Sequence, residues 1–253
     1  MTTPPVVLCI GGSDSGGCYG IGADLGLLAS LGAHGCCALT VVTAQNTLGL
    51  RATHQLPLEL IADQIEMVLE DFAVAAVKTG MLARVEVVEL VAALAGQSRL
   101  PNLVVDPVLV NRHGMELFGE EVTHAYRQLL LPRARLATPN SIEAALLANA
   151  KHDAVHGPWP CPTVITGGRG PDNVRCVDVL VEGSQRHELV ADRVVTTNNA
   201  GSGDAFSAAS AWGLARGLSL LDAVTDAKEI VRGGLIAGAS WQLGHGPGPL
   251  GRR

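Results

Sequence analysis

The chain has 253 residues, 47% of them hydrophobic, with 18 Lys and Arg against 24 Asp and Glu for a formal net charge of -6. That is enough apolar chain for a sizeable core, and an acidic balance without a basic stripe argues against nucleic acid or an anionic membrane as the main partner. A nucleotide stays admissible, because backbone N–H groups and Mg²⁺ bind phosphate without a basic surface.

Met1 to Pro5 has neither a basic stretch nor a long apolar run, so it does not read as a signal peptide. Val6 to Ile10 reads as a buried strand that ends in the loop Gly11-Gly12-Ser13-Asp14-Ser15-Gly16-Gly17. No Lys-Ser/Thr follows at P-loop spacing, and no G-x-G-x-x-G follows the strand, so neither common nucleotide motif is present. A helix from Gly20 to Leu31 and a strand from Cys37 to Thr43 come next. Leu25 to Leu50 carries no Asp, Glu, Lys or Arg, which raises a membrane span; Gly32, His34 and Gly35 interrupt it, and a buried helix, turn and strand fit better.

Ala52 to Leu56 is a short extended piece before a helix over Pro57 to Phe72, where Ile61, Ile65, Val68, Leu69 and Phe72 share one face. Strands are predicted at Ala75 to Lys78, Leu103 to Val105, Leu136 to Thr138, Thr163 to Ile165, Val177 to Val181 and His187 to Val190. Helices are predicted at Val85 to Ala95, Glu120 to Leu131, Ser141 to Ala150, Gly203 to Arg216 and Leu220 to Leu243, the last opened by a capping box of Ser219 and Asp222. No linker, repeat or low-complexity tract divides the chain, so a single domain over residues 1–253 is expected. The six cysteines, at 9, 18, 36, 37, 161 and 176, form no C-x-x-C and read as small core residues in a reducing compartment, hence a cytoplasmic protein.

Short apolar strands alternating with helices imply an α/β fold, a mostly parallel central sheet with helices on both faces. In such sheets ligands bind beyond the carboxyl ends of the strands. Those ends read Gly12-Ser13-Asp14, Ala44-Gln45-Asn46, Thr79-Gly80-Met81, Asp106-Pro107-Val108, Pro139-Asn140 and Gly167-Gly168. Any one of these clusters can be plain turn chemistry; six together suit a binding site.

The strongest local signal is Gly201-Ser202-Gly203-Asp204 ahead of the apolar helix. Glycines let N–H groups converge, and a helix start adds partial positive charge, so the segment suits a phosphoryl group in transfer. Asp204 at its rim is placed to take a proton from an attacking hydroxyl. Alternatively it only serves the helix dipole.

Gly11-Gly12-Ser13-Asp14, Thr43-Ala44-Gln45-Asn46-Thr47, Lys78-Thr79-Gly80-Met81-Leu82, Asp106-Pro107-Val108, Thr138-Pro139-Asn140, Thr166-Gly167-Gly168, Gly201-Ser202-Gly203-Asp204 and Gly244-His245-Gly246 occur in this order. The set closely resembles the hydroxymethylpyrimidine/phosphomethylpyrimidine kinases of thiamine synthesis, a branch of the ribokinase-like superfamily, over nearly the whole chain. The resemblance implies an ATP- and Mg²⁺-dependent kinase with Asp204 as base and Gly201, Ser202 and Gly203 as anion hole. Gln45 would bond the aminopyrimidine edge, Gly12, Met81 and Val108 would line the ring pocket, and Asp24 would lie near the substrate. Asp106 and Glu143 would face Mg²⁺ through water, with Asn140, Thr166, Gly168 and Arg112 on the ATP phosphates. A homo-oligomer, a dimer or higher, is implied as well.

Each assignment has a structural alternative: core packing for Met81, loop capping for Gln45, dipole service for Glu143 and a turn for Asp106. The chain departs from many members of the family at Asp204, where Cys is frequent, and at Thr166 and Arg112, where Lys is usual. The stretch from Ala150 to Pro162 is short, and Cys18-Tyr19 replaces small residues. A pyridoxal or pyridoxine kinase and a non-catalytic pyrimidine-binding protein are the competing readings.

Overall fold

The computed structural model describes residues 3–148, 158–167 and 174–251. Nine strands form one sheet in the order β3-β2-β1-β4-β5-β6-β7-β8-β9. The parallel part consists of β1 (Val6–Asp14), β2 (His34–Asn46), β4 (Val74–Thr79), β5 (Val104–Val105), β6 (Leu136–Ala137) and β7 (Thr163–Ile165). β3 (Gly49–Gln55) runs antiparallel on one edge; β8 (Arg175–Glu182) and β9 (Gln185–Asp192) run as an antiparallel pair on the other.

Side-chain alternation along β1 shows why its sequence is almost wholly apolar. Leu8 and Ile10 enter one core, shared with α2 (Leu58–Asp71), α3 (Val85–Gly96) and α4 (Glu120–Ala125). Val7 and Cys9 enter a second core under α1 (Gly20–Ser30), α6 (Ser202–Ala215) and α7 (Leu220–Gly238). A strand buried on both faces has no polar side to show. α5 (Ser141–Ala148) follows β6. The chain leaves β1 toward β2 and β3, then returns across β1 to β4, so the strand order reverses beside β1 and opens a crevice at the strands' carboxyl ends.

The glycine loop after Ile10 is partly strand. β1 continues to Asp14 because β2 pairs with it there, Ser13 against Val42 and Asp14 against Thr43, after a shift in register. The predicted helix Glu120 to Leu131 is regular only to Ala125; a π-helical turn, Tyr126–Leu130, and a 3-10 turn, Leu131–Arg133, complete it. Pro132 has no N–H to continue an α ladder, and Tyr126 is fully buried with its hydroxyl toward the Gly80 carbonyl.

The last helix stops at Gly238, five residues before its expected end at Leu243. The Asn198 amide donates to the carbonyls of Gly238 and Trp241, at 2.8 Å each, and the Gly251 N–H donates to Gly234. The tail lies so close that a Cβ on Gly238 would stand 2.7 Å from the Gly251 nitrogen.

The uncharged stretch from Leu25 to Leu50 divides between α1, β2 and β3, and no helix among the described residues is long and apolar enough to cross a membrane. All six cysteines are free, four of them buried. Ser219 caps α7: its hydroxyl accepts from the Asp222 N–H at 3.2 Å and donates to that carboxylate. Ser219→Ala is therefore expected to lower unfolding free energy by about 1 kcal/mol, read from the urea midpoint at unchanged slope.

Candidate active site

At the start of α6, Gly201 is left-handed, φ 79°, and a Cβ there would collide with the Cys18 carbonyl oxygen. Only glycine meets both demands. The first regular bond of α6 runs from the Ala205 N–H to the Gly201 carbonyl, and Ser202 donates back to Asn199. The N–H groups of Gly203 and Asp204 precede that ladder and stand free for an anion.

Asp204 reaches across to β4. Lys78 Nζ lies 3.3 Å from Asp204 Oδ1 and 2.7 Å from Asp24 Oδ2 on α1. Lys78 and Asp24 are each 1% exposed, and Asp204 13%. Burial alone would drive the Lys78 ammonium toward neutrality, but Asp24, Asp204 and Asp106 outweigh it and raise its pKa above the usual lysine value. Asp24 is pushed up to about 7, by burial first, with Lys78 pulling the other way. Lys78 sat inside a recognised motif without a role; its signal in the sequence was a lysine within the short buried strand Ala75 to Lys78, which needs a carboxylate partner.

Asp106 follows β5 and is buried, with Oδ2 accepting from Ser207 of α6 at 3.0 Å. Burial pushes its pKa up to about 6, Lys78 opposing and Asp204 assisting. Glu143 in the first turn of α5 accepts from the N–H groups of Leu109 and Asn140, while Asn140 Oδ1 caps the helix by accepting from Ile142 and Glu143. Burial, then the charge of Asp106, pushes Glu143 up to about 8 against those bonds.

One cleft of about 510 Å³ gathers ten of the residues singled out in the sequence: Asp204, Gly201, Ser202, Gly203, Asp106, Glu143, Val108, Asn140, Thr166 and Arg112. Tyr19, His113, Asn199 and Pro247, to which the sequence had assigned no role, also line it. Gly12, Met81 and Gln45 lie outside its wall, at the adjoining ends of β1, β4 and β2. The Met81 methyl group lies over Gly12, where a Cβ would come within 2.9 Å of it. Half-buried Gln45 is held through its main chain, bonded both ways to the Ser15 hydroxyl, which leaves its amide clear of those bonds.

Two of these residues have further partners. Asp24, expected near the substrate, is buried and pairs with Lys78 at 2.7 Å. Arg112, expected on a phosphate, lines the cleft and donates from its two terminal nitrogens to the carbonyls of Thr47 and Leu48, at 3.0 and 3.2 Å, tying its loop to the β2–β3 turn. Gly168 and residues 149–157 of the shortened stretch lie outside the described residues.

A second cleft of about 280 Å³ shares Asn199 and Ser202 with the first. In it Lys228 pairs with Asp178 at 2.7 Å, and Asp178 also accepts from the Gly167 N–H at the end of β7. The two clefts meet at the start of α6, an arrangement that suits an elongated ligand with its anionic end over Gly203.

The family model for phosphomethylpyrimidine kinase matches residues 14–251. A hydroxymethylpyrimidine/phosphomethylpyrimidine kinase of Streptomyces coelicolor is 42% identical over 98% of this chain and 94% of its own length. Among solved structures, an ADP complex of Bacillus subtilis pyridoxal kinase superposes with a TM-score of 0.90 at 31% identity, covering 99% of this chain and 98% of that one. A phosphomethylpyrimidine kinase of Clostridium difficile superposes at 0.76 with 29% identity, covering 90% of this chain and 98% of that one. On a ribokinase-like α/β fold, with a carboxylate beside free amides at a helix start, this chain belongs to the phosphomethylpyrimidine kinase family.

Proposed function

We propose that this protein transfers the γ-phosphoryl group of ATP to the hydroxymethyl group of 4-amino-5-hydroxymethyl-2-methylpyrimidine, to the phosphate of its monophosphate, or to both, in thiamine diphosphate synthesis. The observation that carries this reading is the Asp204 carboxylate beside the free N–H groups of Gly203 and Asp204, in the cleft that also holds Val108 and Asp106. The six free thiols suit a reducing compartment, and we take the cytoplasm as the place of work.

The alcohol binds with its ring toward Val108, Met81 and Gly12, and the Gln45 amide offers a donor and an acceptor to the aminopyrimidine edge. Asp204 takes the hydroxyl proton as the new O–P bond forms and the bond from the γ-phosphorus to its bridging oxygen breaks, so ADP leaves. The amides at the start of α6 receive the charge on the transferring oxygens. Positioning and charge stabilisation supply most of the rate.

The donor set fits Mg²⁺. Asp106 and Glu143 bring two carboxylates to one cleft, the oxygen ligands that Mg²⁺ takes. No group of three or more His, Cys, Asp or Glu forms a ready cage among the described residues. Asp106 and Glu143 suit an ion that keeps its waters and takes one or two carboxylates. Both Glu143 oxygens already accept N–H bonds, so its part is through water. When bound, Mg²⁺ supplies neutralisation of phosphate charge.

The similarity to pyridoxal kinase favours a second alcohol, pyridoxal, on the same machinery. Comparing kcat/KM for hydroxymethylpyrimidine, its monophosphate and pyridoxal decides; a preference for pyridoxal overturns the first reading. Asp204→Asn is expected to lower kcat by ~10³-fold at nearly unchanged KM, in a coupled ADP-release assay. Full turnover by that variant would remove Asp204 as the base. Thr166→Lys adds a cation on the cleft and is expected to lower KM for Mg-ATP by about threefold to tenfold, read from initial rates against Mg-ATP.

A further inference from the structure

The buried ion pair beneath Asp204 does more than hold two helices. Lys78 Nζ is bonded more closely to Asp24 Oδ2, at 2.7 Å, than to Asp204 Oδ1, at 3.3 Å, so the ammonium is anchored from the interior. Asp204 lines the cleft, and only its Oδ1 is in this pairing, which leaves Oδ2 outside it. Gly80 gives the ammonium room: a Cβ there would stand 3.3 Å from Nζ.

Stability alone does not account for such a group. Asp24 Oδ1 is buried with no hydrogen-bond partner. A buried pair is often no more stabilising than apolar residues of the same volume, and an unsatisfied carboxylate oxygen adds a cost. The charges also leave an imbalance: one ammonium faces Asp24 and Asp204, and the field of Asp106 reaches it as well. What the arrangement does supply is a fixed point on β4, in the sheet itself, for a carboxylate carried on the first turn of α6.

We propose that Lys78 is a positioning residue for phosphoryl transfer: clamped from behind by Asp24, it fixes one oxygen of Asp204 so that the other meets the substrate hydroxyl. This rests on the kinase reading above. Lys78 is 1% exposed and outside the lining of the cleft, and acts by narrowing the angles at which Asp204 can stand. Misplacing a reacting group by about 1 Å costs on the order of 10²-fold in rate.

Lys78→Met alone leaves Asp24 buried and unpaired and can fail to fold. The double variant Asp24→Asn with Lys78→Met removes both charges at similar volume and is the one to test. Two measurements are made: a crystal structure of the double variant, and kcat and KM for Mg-ATP and the preferred alcohol. The expected result is that the Asp204 carboxylate leaves its wild-type position and kcat falls about 10²-fold, with both KM values within about threefold. A carboxylate that stays within about 0.5 Å of its place, or a kcat within about threefold of wild type, overturns the proposal. A wild-type protein that phosphorylates neither alcohol removes the functional reading, while the crystal structure still decides the positional one.

Discussion

Lys78 stands in β4 with 1% of its side chain exposed, and a protonated amine in that setting must bring counter-charges inside with it. An unpaired ammonium there would cost several kcal/mol, more than half of what many domains have in total. Asp24 from α1 and Asp204 from α6 meet that demand, so two helices far apart in sequence are drawn to one point beside β4. The register of α6 along the sheet is set by this meeting as much as by the packing of Phe206, Ala208 and Ala209 beneath it. Once α6 is fixed, its first turn reaches the carboxyl edge of the sheet, where Gly201 presses on the Cys18 carbonyl and the free amides face the cleft.

Two opposing fields then meet in that cleft. The start of α6 attracts an anion, while the carboxylates of Asp106 and Asp204 repel one. At a separation of about 4 Å and an effective dielectric near 20, each pair of unit charges contributes about 4 kcal/mol. A helix start offers roughly 0.3–1 kcal/mol at an exposed site and up to about 2 when partly buried. Repulsion therefore wins for a bare polyphosphate, and a divalent cation carried in with it changes the sign.

Much of the layout was legible in the sequence. Short apolar runs located the inner strands, because burial on both faces leaves β1 and β4 no freedom of composition, and helical spacing of apolar residues marked α2. Strand ends rich in Gly, Asn and Asp marked the cleft, since only its lining combines polar groups with a carboxyl edge. The illegible parts are long-range. Nothing local to Asp24 shows that Lys78 will cover it, and nothing near Arg112 shows that Thr47 and Leu48 will take its donors. The end of α7 is set by Asn198 and Gly251, one on the chain before the helix and one after it. The π-helical turn at Tyr126 follows from a proline six residues on and a ring that has to be buried.

Floor and rim of the cleft differ in kind. The floor is the buried ion network of Lys78, Asp24 and Asp204 with Asp106 on Ser207, where breaking one partner strands a charge out of water at roughly 3–5 kcal/mol. The rim is made of exposed bonds: Arg112 to the carbonyls of Thr47 and Leu48, and the N–H groups of His245 and Gly246 to the Thr47 hydroxyl. Each of these has water as a ready substitute and contributes about 1 kcal/mol net. Thr47 is the common node, so the β2–β3 turn, the loop after β5 and the tail can part together for a fraction of the cost of disturbing the floor. The rim therefore parts at lower cost than the floor, and the Asp204 carboxylate and the first turn of α6 are held on the sheet by buried pairing.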